Sequence, residues 1–220
     1  MKFILLLLVS LFIFSCGKDK VIQLPEISHS DISEINDVSA AYLFYDKNQP
    51  DSLELNRKNL ISTTNWLVNV DKRLTLKQAI PKIKFLQDKK RNAEIHKNEN
   101  AKNYYTCNDL SRKNLGFIEF TNIFYHQNKN PLLRTKGKLL KIIFFGINNI
   151  SITTPYETVS KLNKANFITV LKKTTNKTEK TLICSFKEHL TFQDYITLKS
   201  LLLNSNLKNI VIAKDEFIFN

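Results

Sequence analysis

The side chains most able to do chemistry are few: four histidines, His29, His96, His126 and His189, and three cysteines, Cys16, Cys107 and Cys184. No histidine has a second His or Cys at a metal-ligand spacing, so the sequence predicts no metal site. Cys184 and His189 are the one Cys/His pair close in sequence. A thiol nucleophile needs its base within hydrogen-bond reach. In "TLICSF", however, strand alternation puts Leu182, Cys184 and Phe186 on one face, which points the thiol into the core, while His189 falls in the following turn. The four glycines form no phosphate-cradling loop and no G-x-S-x-G elbow. Asp71, Glu119, Glu188, Asp215 and Glu216 are scattered among lysines, with no spacing that pairs them. Trp66 and the pair Tyr104-Tyr105 could line a groove, but a lone Trp at a strand start belongs in a core. The expectation is no catalytic residue, no cofactor and no small-molecule ligand. Cys107, placed near a loop, and Cys184 are expected to be free thiols.

Cys16 is different in kind. It follows an apolar run, Phe3 to Phe14, broken only by Ser10 and preceded by Lys2. That run is too short to span a bilayer. A basic residue, a short apolar core and a small residue before a cleavage point make a secretory signal peptide. Ile13-Phe14-Ser15-Cys16 resembles the bacterial lipobox, in which cleavage exposes a cysteine whose sulfur carries diacylglycerol; Phe14 is bulkier than the usual residue there. The resemblance implies that 1–15 is removed and that Cys16 carries acyl chains of the palmitoyl type. Two or more such chains anchor a protein stably to a membrane. Residues 16–38 read as a flexible tether.

The charge fits such a location. The net charge is +13, but only five of the 33 basic residues are Arg: Arg57, Arg73, Arg91, Arg112 and Arg134. Arg is the better reader of phosphates and bases, and the lysines spread along the whole chain. The balance reads as a solvated basic surface facing anionic headgroups or glycans, with no nucleic-acid partner.

The elements that hold these residues follow a repeated pattern. "WLVNVDKRLTLKQAIPKIKFLQ" (66–87) aligns with "TLICSFKEHLTFQDYITLKSLLL" (181–203) when Leu74-Thr75 is set on Leu190-Thr191. Each copy has an apolar strand, a charged turn, then Leu-Thr. Thr75 precedes Gln78, and Thr191 precedes Asp194, by three residues, the capping-box spacing. A one-sided apolar helix follows each cap, interrupted in the first copy by Pro81. Closing strands are expected over 116–125 and 209–220, with an exposed loop over 88–114. "AAYLFYD" (40–46) reads as a strand, Asp51 and Glu54 as the start of a short helix to Leu60, and 138–153 as two strands around a turn at 146–149. Thr154, Pro155 and Glu157 give a helix start. The predicted fold class is α+β: two tandem β-α-β-α-β repeats, 39–130 and 131–220, with helices on one face of a sheet.

"TLICSFKEHLTFQDYITLKSLLLNSNLKNIVIA" (181–213) resembles the periplasmic domain of the ExbD/TolR biopolymer-transport family in its order of strand, polar turn, helix, basic loop and strand. The resemblance implies an envelope domain that recognises another protein. It departs at the N-terminus. That family has a membrane helix with a proton-carrying Asp, whereas here stands a lipoprotein signal, so the proton-driven role does not transfer. The sequence thus predicts a non-catalytic, lipid-anchored protein of the bacterial cell envelope, on the outer rather than the inner membrane, with an envelope protein as partner. The alternative is an envelope hydrolase or carbohydrate-processing factor whose site forms only in three dimensions.

Overall fold

A computed structural model of the 220-residue chain describes residues 20–94, 98–127, 138–154, 156–174 and 179–220. Cys16, the signal stretch 1–15, His96, Arg134 and Pro155 lie outside them. The strands are β1 (Glu26–Ile27), β2 (Val38–Tyr45), β3 (Leu53–Asn56), β4 (Asn65–Val70), β5 (Asn103–Asp109), β6 (Asn114–Glu119), β7 (Phe124–Gln127), β8 (Leu139–Gly146), β9 (Asn149–Thr153), β10 (Thr158–Leu162), β11 (Lys180–Lys187) and β12 (Ile210–Phe219). The helices are α1 (Leu76–Arg91), α2 (Phe167–Thr174) and α3 (Phe192–Leu203).

The fold is mixed α+β, built on two six-stranded sheets. The first runs β3-β2-β4-β5, with β6 on the far edge of β5 and β1 taking over from β4 along the near edge. The second runs β10-β9-β8-β11-β12-β7. In both, an antiparallel hairpin (β2-β3; β8-β9) leads to two parallel strands (β4-β5; β11-β12). The outer strands differ: β6 is antiparallel to β5, whereas β7, from the first half of the chain, runs parallel to β12.

Both predicted capping boxes form. Thr75 Oγ1 accepts from Gln78 N and Thr191 Oγ1 from Asp194 N, while each partner side chain accepts from the cap residue's own amide. Local chemistry therefore starts α1 and α3 where expected. Pro81 does not interrupt α1, because it lies on the exposed face and removes one donor only. The two caps also meet. Thr75 and Thr191 form an antiparallel bridge. Around it, Phe192 N donates to Leu74 O (2.6 Å), Leu76 N to Leu190 O (2.9 Å), Gln193 N to Lys72 O (3.2 Å) and Lys77 N to Glu188 O (2.9 Å). These bonds exchange when the two aligned stretches are swapped, so the contact is two-fold symmetric in its pattern. One apolar core runs through both halves, from Leu43, Val68 and Ile80 to Phe144, Phe186 and Ile196.

Several expectations are corrected. The first half is not β-α-β-α-β, since its described residues hold one α-helix, α1, whereas the second runs β10-α2-β11-α3-β12 after an added hairpin, β8-β9. Asp51 lies in a three-residue 3-10 turn (Pro50–Ser52), and the expected helix to Leu60 is instead β3, paired with β2. Thr154 caps no helix. Its Oγ1 accepts from Tyr156 N and Glu157 N and closes the turn into β10, whose Thr158-Val159 pair is β-branched. The helix begins later, where Asn163 Oδ1 takes the amides of Ala165 and Asn166. The range 88–114 is not one loop. It contains the end of α1 and the whole of β5, whose Tyr105 and Cys107 are fully buried. Within 16–38, residues 23–32 pack on the domain. Ile27 and Ser30 are buried, β1 pairs with β5, and Gly116 leaves room for Ser30, since a Cβ there would come within 2.9 Å of it.

Candidate functional site

The most concentrated polar chemistry lies where the two halves join. α3 carries Tyr195 and Lys199 on its buried face, and β12 brings Glu216 opposite them. Tyr195 Oη donates to Glu216 Oε2 at 2.7 Å, and Lys199 Nζ donates to Glu216 Oε1. From Tyr195 the hydroxyls continue to Tyr125 (3.1 Å) and on to Tyr105 (2.6 Å) in the first sheet. All three rings are buried, and Phe120 stacks on Tyr105 with ring centres 3.8 Å apart. Burial, with the Glu216 carboxylate nearby, pushes the phenols of Tyr195 and Tyr125 up; burial likewise raises that of Tyr105. The cavity beside Lys199, Glu216 and Cys184 holds only about 20 Å³. That is about one water, so the chain of groups welds the halves together and admits no substrate.

The predicted residues fall elsewhere. Cys184 is buried, and its thiol is raised first by desolvation and then by Glu216. His189 is exposed in the turn, as expected, so the two do not form a nucleophile and base. Cys107 is a free thiol like Cys184, but it sits in β5 rather than a loop, and burial raises it too. His126 Nε2 lies 2.6 Å from Asp215 Oδ1 and its ring stacks on Phe217. Glu119 pairs with Lys102 and Glu188 with Lys77. Burial pushes the Asp71 carboxyl up, but Arg73, bonded through two nitrogens, and the amides of Arg73 and Gln23 outweigh it and hold the group ionised. Trp66 is core, with its Nε1 donating to Ile61 O at 2.7 Å. Among the described residues no group of three His, Cys, Asp or Glu could hold a metal, and no helix is long and apolar enough to cross a membrane.

Two arrangements escaped the sequence. His29 Nδ1 lies 3.1 Å from Ser111 Oγ, with Asp31 Oδ1 3.5 Å from the other ring nitrogen. This has the outline of an Asp-His-Ser relay. Its proton runs the wrong way, because Ser111 Oγ donates to Asp109 Oδ1 at 2.6 Å. That bond, with the amides of Ser30, Arg112 and Ser111, holds Asp109 down at about 2. A general base must take the serine proton; here Ser111 has already given its only one to a strong acceptor. The second is Lys90. It is buried, its ammonium donates to Thr64 O, Lys102 O and Asn103 Oδ1 at 3.0 Å each, and it lies over the Trp66 ring. Burial pushes its pKa down to about 8. All three donors are engaged, so it ties α1 to the loops around β4 and β5.

The sheet edges remain. β3 and β10 each end a sheet. β10 is blunted by a register shift and a positive φ at Lys161 (61°). β3 has neither feature. Its counterpart in the second sheet, β9, is covered by β10, while among the described residues no strand covers β3. No family model, curated protein or solved structure matches the chain.

Proposed function

We propose that the protein is a non-catalytic, lipid-anchored component of the bacterial cell envelope, held at the outer membrane by an acylated Cys16, and that it binds another envelope protein by strand addition to β3. The observation that carries the binding reading is the unequal treatment of matching edges: β10 covers β9 antiparallel, and among the described residues β3 has no such strand. An extended segment of a partner takes that place, with backbone bonds giving affinity and alternate side chains giving selectivity. The four matching strands and the paired capping boxes support an origin of both halves from one unit. The likeness of 181–213 to the ExbD/TolR periplasmic domain supports the same partner-binding reading, without proton coupling.

The hydrolase alternative draws on His29, Ser111 and Asp31, and the Ser111–Asp109 bond argues against it. A photo-crosslinking residue at Asn56 in β3, and another at the exposed Ser160 in β10, test the proposal in the living cell envelope. Asn56 should give an adduct mapping to one extended segment of one envelope protein, and Ser160 none. Adducts at Ser160 alone, or at neither position, would overturn it.

A further inference from the structure

We infer that the β2-β3 turn, residues 46–52, lies directly against the lipid headgroups. The inference rests on acylation of Cys16, proposed above, together with the docking of the segment that follows.

A free tether over 16–38 would reach about 75 Å when extended. The chain is pinned much sooner. Lys20 Nζ is latched to Asp46 (3.0 Å), the first residue of the turn, and to Glu54 in β3. Gln23 is held by two backbone groups, its O accepting from Lys72 N at 2.7 Å and its N donating to Asp71 Oδ2 at 3.2 Å. Beyond it, Asn108 N donates to Pro25 O (2.8 Å), and Gln193 bonds both the N and the O of Glu26 (2.9 Å each). Four residue steps separate Cys16 from Lys20, which allow about 14 Å at full extension. Should the latch open, seven steps to Gln23 allow about 25 Å. A domain of this size is roughly 40 Å across. The leash is therefore shorter than the domain, and the end that carries Lys20 must face the bilayer.

Charge does not set this orientation. Most cations at that end are matched, Lys20 with Asp46 and Glu54, Lys72 with Glu26 and Arg73 with Asp71, and the exposed Lys47 of the turn is offset by the exposed Asp51 of the same turn. The apposition should therefore hold on neutral lipid and in salt. The far end of α1 points away from the turn. Gln78 in its first turn bonds Asp51 O, and its 16 residues carry Asn92 about 24 Å along the axis.

The test uses the full lipoprotein, reconstituted in phosphatidylcholine vesicles containing a headgroup-nitroxide lipid. A fluorophore is attached to Lys47→Cys or to Asn92→Cys; the native Cys107 and Cys184 are buried. The expected result is loss of most emission at position 47 and little at position 92, unchanged by high salt. Inserting a Gly/Ser linker of about ten residues between Lys18 and Asp19 should restore emission at 47. Intact mass of the same sample reports acylation separately, so a chain without lipid refutes the anchor reading. An acylated chain with no quenching at 47, or with equal quenching at 92, refutes the apposition alone.

Discussion

Replacing Glu216 by Gln tests the weld between the halves. The Glu216 and Lys199 side chains are 2% and 9% exposed. Removing one charge leaves the other buried without its counter-ion, which costs about 3–5 kcal/mol. Gln keeps one acceptor oxygen, for Lys199, and its amide N–H can donate to Tyr195 Oη where the carboxylate accepted, so the loss should fall at the low end, about 3 kcal/mol. Lys199→Met should cost as much or more, because it strands a carboxylate. The double variant should recover most of the loss, since a buried pair replaced by groups of similar volume is close to neutral. The assay is urea unfolding at pH 7, followed by the fluorescence of Trp66 and by far-ultraviolet circular dichroism. Trp66 is in the first sheet and the substitutions are in the second half. A shared midpoint shift in both signals means that the halves unfold as one unit. Losses below about 1 kcal/mol, typical of an exposed pair, would refute the reasoning. So would a Trp66 signal that does not move.

Two further outcomes follow from burial. Tyr105, Tyr125 and Tyr195 have phenols raised in the folded protein, so above pH 10 the unfolded chain holds fewer protons and stability falls, by about 1.4 kcal/mol per pH unit for each. The raised thiols of Cys107 and Cys184 add the same slope from pH 9.0, while Lys90, pushed down to about 8, gains that much per unit up to 10.5. Urea midpoints should therefore fall steeply above pH 10; a flat or rising profile there would contradict this. Alkylation of the folded protein by a neutral thiol reagent should leave Cys184 and Cys107 slow until denaturant is added, whereas rapid labelling of Cys184 that His189→Ala suppresses would establish a reactive thiol.

What could be read from the sequence was what local chemistry decides. Thr75 with Gln78, and Thr191 with Asp194, start helices through bonds spanning three residues, and alternation in "TLICSF" placed Cys184 in the core. The failures had two causes. Thr154 makes the same hydroxyl-to-amide bonds in a tight turn as at a helix start, so the motif alone does not separate them. β5 lies between Lys- and Asn-rich stretches and, beside its hairpin partner β6, is held by two distant strands, β1 and β4. His29 and Ser111 are 82 residues apart, and no pattern joins them. The Lys199–Glu216 pair did leave a trace. Lys199 sits on the apolar stripe between Tyr195 and Leu202, and Glu216 alternates with Ile218 and so shares its inward face.

The most direct measurement on the proposed function is the intact mass of the chain recovered from membranes, paired with fractionation of Cys16→Ser. The account predicts a mature chain that begins at Cys16 and carries diacylglycerol, and a variant that stays uncleaved or leaves the membrane. A chain that retains Met1 to Ser15, or a Cys16→Ser protein found on membranes at the normal mature length, would contradict it.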